Sequence, residues 1–278
     1  MATVRELSGL WENFMLGPRP GPGVCARCFN LTDGYDLCYA CAHCDAALDA
    51  VAPISYSVAH EQLHHALASY KRLSGEIARM LGVQLAAVLW RYLALHETCV
   101  ARAAGAASFQ LVATVPSGQA DREERHPLRW IVGELVEPTR QRYERLLERS
   151  SAPVEQRAFN LEKYSPLRPL NGESVLLIDD TWTTGANAQS AAAALKRAGA
   201  GPVAAVVIGR YVNREWHAND RRLQTLAQPF DWTRCGLCDT SATRGDAGGR
   251  DGSVGALAPR LAVVEKQDLG VDRRDRVT

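Results

Sequence analysis

Residues 175–190 read VLLIDDTWTTGANAQS. Four apolar residues run into two adjacent carboxylates, Asp179 and Asp180, and a Thr/Gly-rich loop then leads into an alanine-rich helix. In a parallel sheet the carboxyl ends of the strands share one edge, and ligands bind there. Consecutive strand residues point to opposite sides, so the two carboxylates cannot both face the core. Burying either one unpaired is expensive. The loop offers the side chains of Thr183, Thr184 and Asn187. Gly185 lets backbone approach a ligand closely, and the helix start adds N–H groups and a partial positive charge. Asn187 is the expected N-cap, Lys196 and Arg197 sit in the last turn, and Gly199 supplies the stop. An anion cradle beside two acids matches a sugar phosphate, with phosphate on the N–H groups and ring hydroxyls on the carboxylates. Trp182, between acids and cradle, either packs beneath the loop or stacks on a base.

The second chemical constellation is cysteine. Of eight cysteines, Cys25 and Cys28 form one CxxC, and Cys38 and Cys41 form another. Cys44 follows at the same gap, beside His43. Paired CxxC knuckles present two thiolates each at a fixed bite, which predicts tetrahedral zinc. The segment has few apolar residues, so the metal would supply folding energy that burial cannot. A third CxxC, Cys235 and Cys238, lies far along the chain. It either completes a second site with Cys44 and His43 or replaces Cys38 and Cys41 in the first. Cys99, on an apolar helix, reads as a small buried hydrophobe. His64 and His65 read as ordinary helix histidines.

Elements must position these groups. The stretch APISYSV (52–58) predicts a strand, Leu63, Leu67, Tyr70 and Leu73 a helix, and Ile77 through Tyr92 a second helix with one apolar face. A short strand in FQLVATVP is followed by polar SGQADREERH. Residues 128–149 carry a helical pattern that Pro138 should kink or break. From 150 to 173 there are proline-rich residues without period, a long loop of the kind that serves as a lid, with Arg157 and Lys163 as its charges. Strand, helix (187–198) and strand (201–212) then give a βαβ unit and a parallel sheet. Unalternating apolar strands suit a sheet covered on both faces.

The 278 residues suffice for one substantial domain with appendages. Three parts are expected: a linker and zinc-knuckle segment (1–50), an α/β domain (51–238), and a tail (239–278) whose Gly, Asp and Arg content predicts disorder. A net charge of +1 gives no bulk electrostatic case for nucleic acid. The N-terminus lacks a signal core. LGVQLAAVLWRYLAL is shorter than a span and contains Arg91. The expectation is a soluble, cytoplasmic protein without a membrane partner.

The motif VLLIDDTWTTGAN resembles the phosphoribosyl-diphosphate (PRPP) binding motif of type I phosphoribosyltransferases. The cysteine segment comes first, then a strand, a helix bearing LHHALASYKR, the VATVP strand and the motif itself. That order is similar to the ComF-like phosphoribosyltransferases, a family linked to competence and DNA uptake in some bacteria. The resemblance covers about residues 25 to 215. It implies a phosphoribosyltransferase-like parallel sheet flanked by helices. It also implies that Asp179 and Asp180 hold the ribose hydroxyls and act in catalysis. Thr181, Thr183, Thr184, Gly185, Ala186 and Asn187 would contact PRPP, chiefly its 5′-phosphate. VPSGQADRE would be the pyrophosphate loop, with Ser117 and Gly118 at its turn and Arg122, Arg125 and Arg129 supplying charge. The implied reaction displaces pyrophosphate at ribose C1 by a nitrogen nucleophile, with Mg2+ on the pyrophosphate and ribose oxygens. ADREERHPLRWIVGEL stands where the family carries a Gly-Phe-Asn-Gln run. This motivates an alternative: a non-catalytic accessory or regulatory protein that senses PRPP or nucleotides or takes part in DNA uptake. A nucleic-acid contact and a homodimer remain open.

Overall fold

The computed structural model describes residues 2–44, 46–117, 126–152, 155 and 158–238. The helices are α1 (Val4–Gly9), α2 (Tyr39–Ala42), α3 (Gln62–Arg72), α4 (Gly75–Ala103), α5 (Pro127–Trp130), α6 (Glu137–Arg140), α7 (Ala186–Arg197) and α8 (Asn219–Leu226). The strands are β1 (Ala50–Val58), β2 (Leu111–Thr114), β3 (Leu147–Arg149), β4 (Tyr164–Pro166), β5 (Val175–Trp182) and β6 (Val203–Val212).

Four strands form a parallel sheet in the order β1-β6-β5-β2. Their apolar runs are buried on both faces, as unalternating strands require. Alternation along β5 sorts its residues: Leu176 and Ile178 pack in the core with α3 and α4, while Val175 and Leu177 pack in the core with α7. The fold is therefore α/β, with helices on both sheet faces. The register places Asp179 opposite Val207 and Thr181 opposite Gly209, so the acids sit near the carboxyl edge.

Helix α4 is long and apolar enough by composition to cross a membrane. Its central residues Leu85 to Leu89 are, however, completely buried in the core. Its first turns overhang the body: Ile77 and Met80 are exposed, so the apolar face is buried only from its middle onward.

Three expectations need correction. Residues 128–149 do not form one helix. They split into α5, a π-turn (Ile131–Leu135), α6 and β3, and Pro138 sits in the first turn of α6, where its missing N–H costs nothing. The stretch from 150 to 173 is not wholly loop, because β4 pairs antiparallel with β3 and the Asn160 N–H donates to Ser190 Oγ at 3.0 Å on α7. Nor are the first 24 residues merely a linker. Thr3 and Glu6 form a capping box that starts α1, and Val4 and Ser8 are buried. Further on, the Leu16 N–H donates to Ser55 Oγ at 2.8 Å on β1. The expected tail, 239–278, lies outside the described residues.

Candidate functional site

The two adjacent acids have opposite fates. Asp180 points toward α3, is buried, and accepts from the Tyr70 hydroxyl while pairing with the Lys71 ammonium on the same oxygen. Burial works against its charge, but Lys71 and the bonds from Lys71 and Tyr70 outweigh it and hold the pKa below the usual carboxylate range. Asp179 keeps its carboxyl beside that of Asp180 but reaches the cavity that Asp180 does not line. Its Oδ1 accepts the Asp180 N–H at 2.9 Å, and its side chain lines a cavity of about 120 Å³ together with Thr183, Thr184, Gly185 and Asn187. Burial, then the Asp180 charge beside it, push the Asp179 carboxyl above the usual range. Only one carboxylate of the pair thus faces the cavity.

The cradle follows from Trp182 and Gly185. The Trp182 side chain is fully buried beneath the loop, so it is a packing residue. Gly185 has φ +85°, and a Cβ there would lie 2.1 Å from Trp182 Cζ2. Both conformation and space demand glycine. Gly185, not Asn187, is the N-cap of α7; Asn187 lies in the first turn. A backbone carbonyl of glycine starts the helix here, so Asn187 is left to face the cavity. Its Oδ1 is buried and, like Trp182 Nε1, finds no partner among the described residues. Thr183 and Thr184 are exposed at the mouth, and Thr184 Oγ1 accepts the Ala186 N–H at 3.3 Å. The first-turn N–H groups of a helix lack intrahelical acceptors, and the helix start favours negative charge. Thr181 is partly buried within β5, and Ala186 is buried at the helix start.

Beneath the cradle lies Arg210 of β6, almost completely buried. Its guanidinium donates to the carbonyl oxygens of Trp182 (3.0 Å), Thr183 (3.0 Å) and Cys28 (3.1 Å). A buried guanidinium needs its donors matched, and these carbonyls match them. One side chain therefore ties the loop to the first cysteine knuckle.

Cys25, Cys28, Cys38 and Cys41 are buried, with ligand atoms all within 4.8 Å of one another. These four thiols can hold a zinc ion. The third CxxC does not join them. Cys235 and Cys238 lie instead beside His96 and Cys99 of α4. The pairing with Cys44 and His43 is likewise not formed, because His43 stacks on Tyr39 and its Nδ1 lies 2.9 Å from the Tyr39 carbonyl. Cys99 is half-buried within this second group.

Ser117 follows β2 on the same sheet edge as the acids, since Thr114 pairs with Ile178. Gly118, Arg122, Arg125 and Arg157 lie outside the described residues. Arg129 is half-buried in α5. Lys163 is buried, 3.4 Å from the Ala158 carbonyl, so it is not an exposed lid charge. His64 packs on the Tyr211 ring, as an ordinary helix histidine does.

The sequence does not single out Lys71, Arg210 or His96, and Tyr70 and Cys99 read there only as apolar helix positions. Two signals were available: an arginine inside the apolar run VAAVVIGRYV, and a His-x-x-Cys spacing that places both side chains on one helix face. Comparison of the chain with family models, curated proteins and solved structures found no match.

Proposed function

We propose that the protein binds PRPP or a ribose 5-phosphate nucleotide at the carboxyl edge of β5. The 5′-phosphate would lie in the loop Thr183–Asn187 at the start of α7, and Asp179 would accept from the ribose hydroxyls. The observation that carries this reading is the cavity shared by Asp179 and the glycine-started helix. An anion cradle and a carboxylate on one small cavity suit the two ends of a ribose 5-phosphate. The motif's likeness to the PRPP-binding pattern supports the same reading, and the ComF-like order of features supports its placement in that branch.

The corresponding reaction would form a C1–N bond to a nitrogen acceptor and break the C1–O bond, pyrophosphate leaving with the electron pair. Asp179 would hold a magnesium ion through its carboxylate, releasing its proton on binding. The chemistry such an ion would supply is neutralisation of charge on the leaving pyrophosphate. The chain's own part is to fix the phosphate and orient the ribose, which sets C1 for attack.

A second reading is binding without turnover, as a sensor or accessory protein. Its support is Asp180, whose carboxylate is already committed to Tyr70 and Lys71. A thermal-shift series with PRPP, nucleoside monophosphates and magnesium tests the binding reading. A ligand at a hundred times its Kd adds about 2.7 kcal/mol of stability. Pyrophosphate release with a panel of nitrogen acceptors then separates the two readings. No stabilisation by any of these ligands refutes both.

A further inference from the structure

We propose that His96, Cys99, Cys235 and Cys238 form a second, independent zinc site with one imidazole and three thiolate ligands, which fastens the end of the described chain to α4.

The four ligand atoms lie within 4.8 Å of one another. Cys99 Sγ is 3.6 Å from Cys238 Sγ, Cys235 Sγ is 3.2 Å from Cys238 Sγ, and His96 Nδ1 is 3.5 Å from Cys238 Sγ and 4.0 Å from Cys99 Sγ. Thiolates at 2.3 Å from a tetrahedral zinc stand about 3.8 Å apart, so these separations are those of a ligand shell. None approaches the length of a disulfide bond, and no disulfide is formed among the described residues.

The imidazole carries the strongest indication. His96 Nε2 lies 2.8 Å from the Trp232 carbonyl oxygen, to which it can only donate. That bond fixes the tautomer and leaves Nδ1 with a lone pair aimed at the thiols. Histidine ligands of metals characteristically donate their other N–H to a carbonyl or carboxylate in this way. Cys238 Sγ also accepts the Cys235 N–H at 3.3 Å, which helps stabilise a thiolate in the knuckle.

The site's position gives it a task. Cys235 and Trp232 belong to the core on the α4 face of the sheet, whereas Cys25 through Cys41 belong to the core on the α7 face. The Trp232 Nε1–H donates to Glu12 at 2.7 Å, and Arg91 of α4 lies 4.2 Å over the Trp232 ring while pairing with Glu12. An ion at His96 would hold this N-terminal, helical and C-terminal junction together. The two knuckles also touch, since a Cβ at Gly236 would lie 2.6 Å from Phe29. They do not share ligands.

Zinc content and X-ray absorption on the full chain, expressed with supplemental zinc, test the proposal. The expected result is two zinc ions per chain and an average shell of about 3.5 sulfurs and 0.5 nitrogens, with Zn–N near 2.0 Å. His96→Gln should remove the nitrogen shell, and His43→Ala should retain it. Cys99→Ser should lower the content toward one ion. One zinc per chain, an all-sulfur shell, no zinc, or a nitrogen shell that survives His96→Gln overturns the proposal. If His96→Gln does not fold, the native chain's stoichiometry and shell decide alone.

Discussion

The Lys71 ammonium is paired with the Asp180 carboxylate at the end of α3, and Asp179, one residue earlier, lines the cavity at the start of α7. Alternation along β5 forces this split. Neighbouring residues of one type therefore serve different ends. Asp180 closes a buried polar group with Tyr70 and Lys71, and Asp179 is presented to the cavity. Their neutral variants should differ in sign. Asp180→Asn removes the charge that the Lys71 ammonium pairs with and weakens the acceptor of the Tyr70 hydroxyl, and should cost about 3 kcal/mol. At pH 9, Asp179→Asn removes a charge that burial and Asp180 disfavour, and should raise stability by about 1 kcal/mol while weakening ligand binding. Chemical denaturation of both variants checks this.

Stability should depend on pH through the same pair. Asp179 has a folded pKa above its unfolded value, so the folded state holds a proton that the unfolded chain has released. Stability from this group is full below the unfolded value of about 3.9 and falls as pH rises toward the folded one. Asp180 acts oppositely: its contribution is present above about 3.9 and is lost as pH falls through its depressed folded pKa. The advantage of Asp179→Asn over the native chain should therefore be larger at pH 9 than at pH 5. Denaturation midpoints at the two values measure it, and an advantage that shrinks with pH contradicts the assignment.

Trp182 and Gly185 should behave as one unit. In Gly185→Ala the new methyl meets the indole and the positive φ is strained, at a cost of about 1–3 kcal/mol. Trp182→Leu clears the space. In the double variant the destabilisation should be less than the sum of the singles by about 1 kcal/mol, a coupling that a double-mutant cycle reads directly. Additivity would mean that the indole does not dictate the glycine.

Much of this was legible in advance. Apolar runs without alternation foretold the buried parallel sheet, and the single glycine of the loop foretold the turn into α7. The acids were readable as a pair but not as individuals. Alternation says that they diverge, whereas which one meets α3 depends on how Tyr70 and Lys71 arrive from 110 residues away in sequence. Asn187 was misplaced as N-cap because side-chain preference ignores the steric demand of Trp182 on Gly185. The partners of Cys235 and Cys238 were hidden for a similar reason. Ligand spacing is local, and the helix face that brings His96 and Cys99 to them is fixed by tertiary packing.

Arg210 links the first knuckle to the cradle, so damage at one end should be felt at the other. Arg210→Met leaves the carbonyls of Trp182, Thr183 and Cys28 without their donor. The variant should lose about 3 kcal/mol of stability, and its affinity for a ribose phosphate should fall about tenfold even though Arg210 does not line the cavity. Calorimetric titration at a temperature where the variant is folded distinguishes a weakened cradle from simple unfolding.

The most direct test of the central claim is calorimetric titration of PRPP with magnesium into the native chain and into Asp179→Asn. One site per chain is expected in the native protein. The more stable Asp179→Asn variant should bind at least about tenfold more weakly, a loss of about 1.4 kcal/mol. Equal affinity in the two proteins, or no binding to the native chain at millimolar PRPP, would contradict the assignment of this edge to a phosphoribosyl ligand.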